Sequence, residues 1–228
     1  MKKKRRLIPS ALLLVLVTAF LLYVSDYYRA TDTALAALEP DRVLTEKTDY
    51  GWYFDGPSTD SALIFYPGGK VEETAYAPLL HKLADSGIDV CLVRMPFHLA
   101  FFSMNAADGI MDQYEYERWY IGGHSLGGVA AASYAASHSL DGVILFAAYP
   151  VRPFDEPMLI LYGSEDGVLN LDRVAAAGQY GTVEEVEIKG GNHAGFGDYG
   201  DQAGDHPAGI SAEEQQREAV EAIVSWLS

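Results

Sequence analysis

Three side chains in this chain have the types and the order that nucleophilic catalysis requires. Ser125 lies in the stretch "GHSLG", which fits the pattern Gly-x-Ser-x-Gly, and Asp166 and His193 follow it along the chain. A serine hydroxyl is a weak nucleophile until a base removes its proton, and a carboxylate commonly orients that base. We therefore expect Ser125 to attack a carbonyl carbon, His193 to take its proton and Asp166 to orient His193.

The segments around these residues predict where they lie in the fold. Ser125 stands between the strand-like run "RWYIGG" and the helix-like run "LGGVAAASYAASH". Asp166 follows the strand-like run "PMLILYG", and His193 follows "VEEVEIKGG". Strand-like and helix-like runs alternate over residues 42–228, which predicts an α/β fold with a mostly parallel sheet flanked by helices. Because ligands of such sheets bind beyond the carboxyl ends of the strands, we expect the three side chains to meet there.

A further motif, "YPGGK", follows the strand-like run "SALIFY" early in the predicted domain. A loop at this position is suited to stabilise the oxyanion, the negatively charged oxygen that forms when a carbonyl is attacked. We expect the backbone N–H groups of Gly69 and Leu126 to form that oxyanion hole. The ammonium group of Lys70 is an additional candidate for electrostatic stabilisation.

Four motifs together resemble the α/β-hydrolase superfamily, in particular its compact, dienelactone-hydrolase-like bacterial members: "YPGGKVEETAYAPLLHKLADSG", "GGHSLGG", "LYGSEDGV" and "GGNHAGFGDYGDQAGD". The resemblance covers about residues 42–228. It implies the α/β-hydrolase fold and a Ser-His-Asp hydrolase that needs neither a cofactor nor a metal ion. The first motif departs from the family pattern, because many relatives carry His-Gly where this chain has Pro67-Gly68-Gly69.

The stretch "YPVRPFDE" is all that separates the sixth and seventh strand-like runs. Relatives with large lids insert a cap domain at this point, so the resemblance implies a minimal cap domain or none, and an open site. An esterase for small or accessible esters is therefore favoured over a long-chain lipase that needs a lid.

Two residues beside the motifs leave alternatives open. Glu165 is adjacent to Asp166 and is the second candidate for the acid. His124 immediately precedes the nucleophile, and we expect it to pack or to form a hydrogen bond rather than to act on the substrate.

Two loops also have more than one interpretation. An aromatic loop follows a strand-like run and could wall an acyl pocket or pack in the core, through Phe97, Phe101, Phe102 and Met104. The loop "FGDYGDQAGDHPAG" could bind a hard cation or support His193, through Asp198, Asp201, Asp205 and His206. For the second loop we favour the supporting role and predict no metal site.

The charge distribution argues against nucleic-acid binding. Five of the sixteen basic residues lie at positions 2–6, and no acidic residue precedes Asp26. The remaining eleven basic residues face thirty-two acidic ones, so the chain from Asp26 onward carries a formal charge of −21. Such a surface repels phosphate groups and favours solubility.

The N-terminal 41 residues have the composition of a membrane anchor. Residues 7–24 form a run of eighteen residues without a charge. A helix of this length spans about 27 Å, close to the roughly 30 Å thickness of a bilayer core. The sequence predicts a basic cytoplasmic tip at 1–6, a transmembrane helix at 7–24, a juxtamembrane linker at 25–41 and a catalytic domain at 42–228 outside the cytoplasmic membrane.

A cleaved signal peptide is the alternative interpretation of the same segment, and it would release a secreted domain. The apolar region of a signal peptide usually has about 7 to 15 residues and ends at small residues. The run here is longer and ends in "LLYV". The uncleaved anchor is therefore favoured.

These features predict a membrane-anchored serine hydrolase that acts on carboxylic esters through an acyl-enzyme. Its partners would be a small-molecule or cell-envelope ester and the membrane. The alternative keeps the triad but transfers the acyl group, or cleaves a thioester or an amide. A catalytically silent envelope binding protein is a third possibility. The sequence does not indicate an oligomeric state.

Overall fold

A computed structural model describes residues 4–39, 43–57 and 60–228 of the chain, with side chains from residue 12 onward. Eight strands form its centre: β1 (Leu44–Lys47), β2 (Gly51–Asp55), β3 (Ser61–Tyr66), β4 (Asp89–Val93), β5 (Arg118–His124), β6 (Gly142–Phe146), β7 (Met158–Gly163) and β8 (Val183–Ile188). They make one sheet in the order β1-β2-β4-β3-β5-β6-β7-β8.

The sheet is mostly parallel, as the sequence predicts. Strand β2 pairs antiparallel with β1 and β4, and the strands from β3 to β8 pair in parallel. Every residue of β3, β4 and β6 is buried. Continuous apolar runs form these strands because helices cover both faces of the sheet. The carboxyl ends of β3 to β8 therefore lie at one edge.

Within the described residues, seven α-helices accompany the sheet: α1 (Lys4–Ser25), α2 (Asp32–Ala36), α3 (Ala77–Asp85), α4 (Ala106–Met111), α5 (Leu126–Ala135), α6 (Leu171–Ala175) and α7 (Ala212–Leu227). A 3-10 turn at Glu73–Tyr76 leads into α3. Ser211 with Glu214 three residues later is a capping-box sequence, which predicts the start of a helix. Helix α7 begins there, and the Ser211 hydroxyl accepts a hydrogen bond from the Glu214 N–H at 3.1 Å.

The core has two parts, one on each face of the sheet. Helices α3 and α7 pack together on one face, with Leu80 and Ile223 fully buried there. Helix α5 packs on the other face against β3, β5 and β6. Its glycines and alanines let it approach the sheet closely, which sets the position of the residue that precedes it, Ser125.

The segment between β6 and β7 contains neither a helix nor a strand over residues 147–157. The minimal cap expected from the sequence matches this connection. The site edge is therefore left uncovered at the point where a cap would be inserted.

Helix α1 covers the segment 7–24 that was predicted to span a membrane. Residues 1–3 of the predicted basic tip lie outside the described residues. Within the part of the chain that the structure describes, no helix is long and apolar enough to cross a bilayer. The prediction of a transmembrane anchor gains no support from the fold.

The segment predicted as a juxtamembrane linker packs onto the catalytic domain. Residue Tyr28 forms a parallel β-bridge with Val71, and Ala30 and Leu38 pack against the core. Helix α2 lies within this segment and begins at Thr31, whose hydroxyl caps it. Residues 40–42, where the predicted linker meets the predicted catalytic domain, lie outside the described residues.

Candidate active site

Ser125 stands on a strained turn between β5 and α5. Its backbone has φ 52° and ψ −121°, a conformation that residues with a side chain rarely adopt. The turn is held by a hydrogen bond of 2.9 Å from the Ser125 N–H to the Phe146 carbonyl. A Cβ on Gly127 would lie 2.2 Å from the Pro67 carbonyl oxygen, so only glycine fits there. A serine on so sharp a turn requires small neighbours, which the glycines of "GHSLGG" provide.

Asp166 and His193 meet at the same edge of the sheet. The Nδ1 atom of His193 lies 2.9 Å and 3.1 Å from the two carboxylate oxygens of Asp166, and each side chain is only 1% exposed. Oδ1 of Asp166 also accepts hydrogen bonds from the N–H groups of Val168 and Leu169. Because a carboxylate only accepts, His193 must carry its proton on Nδ1.

The other ring nitrogen of His193 is free. Its Nε2 atom is buried and has no hydrogen-bond partner among the described residues. Ser125 and His193 line the same cavity of about 230 Å³. A ring nitrogen without a partner therefore belongs to the residue that shares this cavity with the strained serine, as expected of a base that takes the hydroxyl proton.

The predicted oxyanion donors are close together. A Cβ on Gly69 would lie 2.9 Å from Cδ2 of Leu126, which places the loop after β3 against the start of α5. The N–H of Gly68 donates to the Tyr76 hydroxyl at 3.0 Å, and that of Lys70 donates to the His98 carbonyl at 2.8 Å. Between them, the N–H of Gly69 has no acceptor among the described residues.

The Lys70 ammonium group is engaged away from the oxyanion loop. It lies 3.1 Å from the Asp26 carboxylate and 4.6 Å from the centre of the Tyr23 ring. A cation paired in this way is poorly placed to stabilise charge on a substrate, so the backbone donors remain the better candidates.

His124 connects the loop that follows β3 to His193 through a buried hydrogen-bond network. Its Nε2 lies 3.0 Å from the His193 carbonyl, which can only accept, so Nε2 carries the proton. Its Nδ1 therefore accepts from the Tyr76 hydroxyl at 2.8 Å, and that hydroxyl accepts from the Gly68 N–H. Burial and the neighbouring His193 hold the pKa of His124 well below its ordinary value, which keeps the ring neutral. The expected hydrogen-bonding role is confirmed, but the link to Tyr76 was not predicted.

Asp205 joins the loop that carries Asp166 to the loop that carries His193. Its Oδ2 accepts the Ala194 N–H at 2.9 Å, and its Oδ1 accepts the Gly167 N–H at 3.0 Å. These donors are the residues immediately after His193 and Asp166. The sequence indicated a supporting loop here, but nothing in it singled out Asp205 from the other carboxylates.

The structure decides between several alternatives. The Glu165 carboxylate contacts the Ser164 hydroxyl at 3.2 Å and not His193, so the geometry favours Asp166 as the acid. In the acidic loop, Asp198 accepts from the Thr31 hydroxyl. Among the described residues, no group of three or more His, Cys, Asp or Glu side chains is arranged to hold a metal ion.

The aromatic loop is divided between the surface and the core. Phe97, Phe101 and Phe102 are 44–56% exposed, so they are not core residues. They also do not line the cavity beside Ser125, whose apolar walls come from Val129, Ala148 and nearby residues. Met104 is partly buried and packs against the core, as one of the two interpretations expected, whereas the three phenylalanines show that an apolar run after a strand can also end on the surface.

Backbone strain is concentrated at this edge of the sheet. The non-glycine residues with positive φ in the described chain are Lys70, Phe97, His98, Ser125 and Ala147. They follow the carboxyl ends of β3, β4, β5 and β6 in turn. Strained residues cluster where the surrounding structure holds a functional geometry.

Comparison with solved structures shows the same fold in other proteins at low sequence identity. A protein of Thermus thermophilus has a TM-score of 0.60 at 14% identity, covering 82% of this chain and 99% of that one. A thermophilic esterase of Thermogutta terrifontis has a TM-score of 0.55 at 15% identity, covering 81% and 90%. The ferulic acid esterase of Streptomyces cinnamoneus has a TM-score of 0.60 at 15% identity, covering 75% and 67%.

No curated protein sequence matches this chain. The model of a family described as the alpha/beta hydrolase family matches residues 62–217, which is more than half of the chain. The match spans the loop after β3, the strained turn at Ser125 and the loops that carry Asp166 and His193. The chain therefore belongs to the alpha/beta hydrolase family.

Proposed function

We propose that this protein is a serine hydrolase of carboxylic esters, with Ser125 as nucleophile, His193 as general base and Asp166 as the acid that orients it. One observation carries the proposal. His193 is buried with Nδ1 on Asp166, its Nε2 has no hydrogen-bond partner among the described residues, and His193 and Ser125 line the same cavity. A buried imidazole with one nitrogen held and the other free is poised to receive a proton.

The reaction would proceed through an acyl-enzyme. Ser125 Oγ attacks the ester carbonyl while its proton passes to His193 Nε2, and Asp166 stabilises the imidazolium that forms. The proton then passes to the alcohol oxygen as that bond breaks, leaving the acyl group on Ser125. A water molecule, deprotonated by His193, attacks the acyl group and releases the carboxylic acid.

The N–H groups of Gly69 and Leu126 would stabilise the oxyanion in both steps. Gly69 qualifies because the N–H groups of its two neighbours already have acceptors. Loss of one oxyanion donor typically costs about 3 to 4 kcal/mol of transition-state stabilisation. The buried contact from Tyr76 to Gly68 would keep this loop in place.

An ester with a small acyl group suits the site. The cavity beside Ser125 has a volume of about 230 Å³, and residues 147–157 provide no cap over it. Structural similarity to proteins named as esterases is in keeping with this substrate class.

The membrane location remains part of the proposal. The N-terminus would stay in the cytoplasm and the catalytic domain would face outward, because the basic residues at positions 2–6 favour the cytoplasmic side of the membrane. The mass of the protein extracted from membranes tests this placement. A full-length mass supports the anchor, and a mature chain that begins near Thr31 or Ala37 contradicts it.

Labelling with a fluorophosphonate probe tests the chemistry. The wild type should be labelled and should hydrolyse p-nitrophenyl acetate, and Ser125→Ala should lose both properties. Ser137→Ala is a matched control, since Ser137 follows the same helix and lies far along the chain from the turn. Equal hydrolysis by the wild type and Ser125→Ala would refute the proposed mechanism. Product partition with an added alcohol or amine separates hydrolysis from acyl transfer.

A further inference from the structure

Helix α1 exposes apolar side chains in every direction. Six consecutive residues cover more than one full helical turn, and each of the following is 45–67% exposed: Leu12, Leu13, Leu14, Val15, Leu16, Val17, Leu21 and Leu22. A helix that is apolar all round is normally buried in a core or in lipid. Here the domain covers only part of its end, so most of this surface needs another apolar environment.

The segment after α1 fixes the helix to the loops of the candidate site. The Tyr28 N–H donates to the Lys70 carbonyl, and the Glu72 N–H donates to the Tyr28 carbonyl, both at 2.8 Å. The Thr31 hydroxyl donates to Asp198 at 2.6 Å, in the loop after His193. The segment after α1 is therefore hydrogen-bonded both to the loop after β3 and to the loop after His193, which gives α1 a defined position relative to the candidate site.

Three phenylalanines extend the apolar surface of α1 onto the domain. We call Phe97, Phe101 and Phe102 the aromatic patch. The ring of Phe20 in α1 lies 5.3 Å from that of Phe97 and 5.9 Å from that of Phe102, and Phe101 lies 4.3 Å from Phe102. Phe101 is the most exposed of the three, at 56%. Any apolar medium that surrounds α1 near Phe20 therefore also reaches the patch.

The aromatic patch adjoins the oxyanion loop. His98 follows Phe97 and accepts the Lys70 N–H at 2.8 Å, next to Gly69. Helix α5, which starts beside Ser125, contacts the turn Ala100–Phe102. Leu126 is 39% exposed and packs at Gly69. The patch and the mouth of the site therefore share one surface.

The residues at the end of α1 have the composition of a membrane–water interface. The ring of Tyr27 stacks on His98 at 4.0 Å, and the Arg29 guanidinium lies 4.6 Å above the same ring. Lys70 lies over Tyr23. Tyrosines next to cations are typical of the headgroup level of a bilayer. This composition favours lipid over a second protein chain as the neighbour of α1.

We propose that α1 and the aromatic patch contact a lipid bilayer and that the site takes an ester whose alcohol part resides in that bilayer and whose acyl part is small. The proposal requires lipid contact and does not require α1 to cross the bilayer. Its substrate part rests on the proposed function. The acyl group passes to Ser125, the alcohol takes the proton from His193 and stays in the bilayer, and water releases the acid.

Fluorescence quenching tests the lipid contact without using catalysis. Phe101→Trp and Leu44→Trp each place a tryptophan at an exposed apolar position, and Leu44, 62% exposed on edge strand β1, is the matched control. The full chain is reconstituted in phosphatidylcholine vesicles with or without brominated acyl chains. Brominated lipid should quench the added fluorescence of Phe101→Trp and not that of Leu44→Trp. Equal quenching of the two variants overturns the proposal. So does an absence of quenching in Phe101→Trp, which is the result expected if a second copy of the chain covers the patch.

Two substrates with the same acyl group test the substrate class. Hexadecyl acetate is presented in phosphatidylcholine vesicles, and p-nitrophenyl acetate is presented in solution. Phe101→Ser should lower the rate on hexadecyl acetate about fivefold to tenfold and change the rate on p-nitrophenyl acetate less than about twofold. Leu44→Ser should change neither rate.

The outcomes separate this inference from the proposed function. If Phe101→Ser changes both rates equally, or neither, the lipid-borne substrate is wrong although the protein remains a serine hydrolase. If the wild type hydrolyses neither ester and resists the fluorophosphonate probe, the proposed function fails. In that case the quenching experiment still decides whether the patch contacts lipid.

Discussion

Two buried carboxylates lie at opposite ends of the sheet, and only one of them is suited to catalysis. Asp89 is the first residue of β4, at the amino ends of the parallel strands, and is 4% exposed. Asp166 follows β7 at the carboxyl ends, and its side chain is 1% exposed. The two carboxylates are alike in burial and in formal charge, so their different suitability for catalysis must come from their hydrogen-bond partners.

The partners of Asp89 form a closed network. It accepts hydrogen bonds from the Tyr53 hydroxyl at 2.9 Å, the Tyr116 hydroxyl at 2.5 Å and the Gly56 N–H at 2.8 Å. Burial raises the pKa of both phenols, and the bond to Asp89 raises that of Tyr116 further. The phenols therefore stay neutral and donate hydrogen bonds. The network joins loops to strands, and its two phenols and the carboxylate all have hydrogen-bond partners.

The hydrogen-bond network of Asp166 instead ends on a ring nitrogen that has no partner. Its partners are two backbone N–H groups and His193, whose second nitrogen has no partner among the described residues. A buried carboxylate therefore becomes a catalytic candidate when its hydrogen-bond partner can still take up a proton from a neighbouring cavity. Matched substitutions at the two positions test this difference.

The largest effect is expected from Asp166→Asn. The amide can donate to His193 Nδ1 and thereby favour the tautomer with the proton on Nε2, which cannot accept the serine proton. We expect kcat for p-nitrophenyl acetate to fall about 10⁴-fold and the midpoint of urea unfolding to change little. A fall of less than about tenfold would show that another group orients His193.

Asp89→Asn should show the opposite pattern. It removes a charged acceptor from two buried phenols, so we expect the free energy of unfolding to fall by about 1 to 3 kcal/mol. The value of kcat should stay within about twofold of wild type because the site lies at the other end of the sheet. Urea unfolding and ester hydrolysis on the same preparations measure both quantities. A large loss of kcat in a folded Asp89→Asn protein would contradict the division between the two carboxylates.

Asp205→Asn tests whether activity depends on the bridge between the loops that carry Asp166 and His193. The amide cannot accept from both Gly167 and Ala194 as the carboxylate does. We expect kcat to fall about tenfold with KM little changed, because His193 is less well placed. Asp201→Asn is the control in the same loop, since the Asp201 residue is exposed. Equal activity of both variants would show that the bridge made by Asp205 is dispensable.

The smallest effect concerns the pH dependence of stability. His124 has a folded pKa well below its ordinary value of about 6.5. Below about pH 6.5 the unfolded chain binds a proton that the folded chain does not, so stability falls as the pH falls towards the folded pKa. The slope that His124 contributes should grow as the pH falls below about 6.5 and approach about 1.4 kcal/mol per pH unit.

His124→Gln should remove this slope. Urea unfolding between pH 5 and pH 7 measures it, and His206→Gln, with an exposed side chain, is the control. An unchanged slope in His124→Gln would mean that His124 is not kept neutral by the fold.

Much of the fold could be predicted because its signals are local. The fully buried strands β3, β4 and β6 come from continuous apolar runs, and the cap of α7 comes from Ser211. The exposure of Phe97, Phe101 and Phe102 could not be predicted, because burial depends on what other segments cover. The packing of Tyr28 against the oxyanion loop was missed for the same reason, since its partners are distant in sequence.

The α/β architecture, the turn at Ser125 and the candidate residues at strand ends could all be predicted, because they follow from hydrophobic periodicity and from glycines next to a serine. Three contacts became visible only in the folded chain: Asp166 and not Glu165 meets His193, His124 joins Tyr76 to His193, and Asp205 bridges two loops. Those contacts join atoms from loops that are far apart in sequence. Hydrogen-bond geometry within a few tenths of an ångström determines them, and no local pattern encodes it.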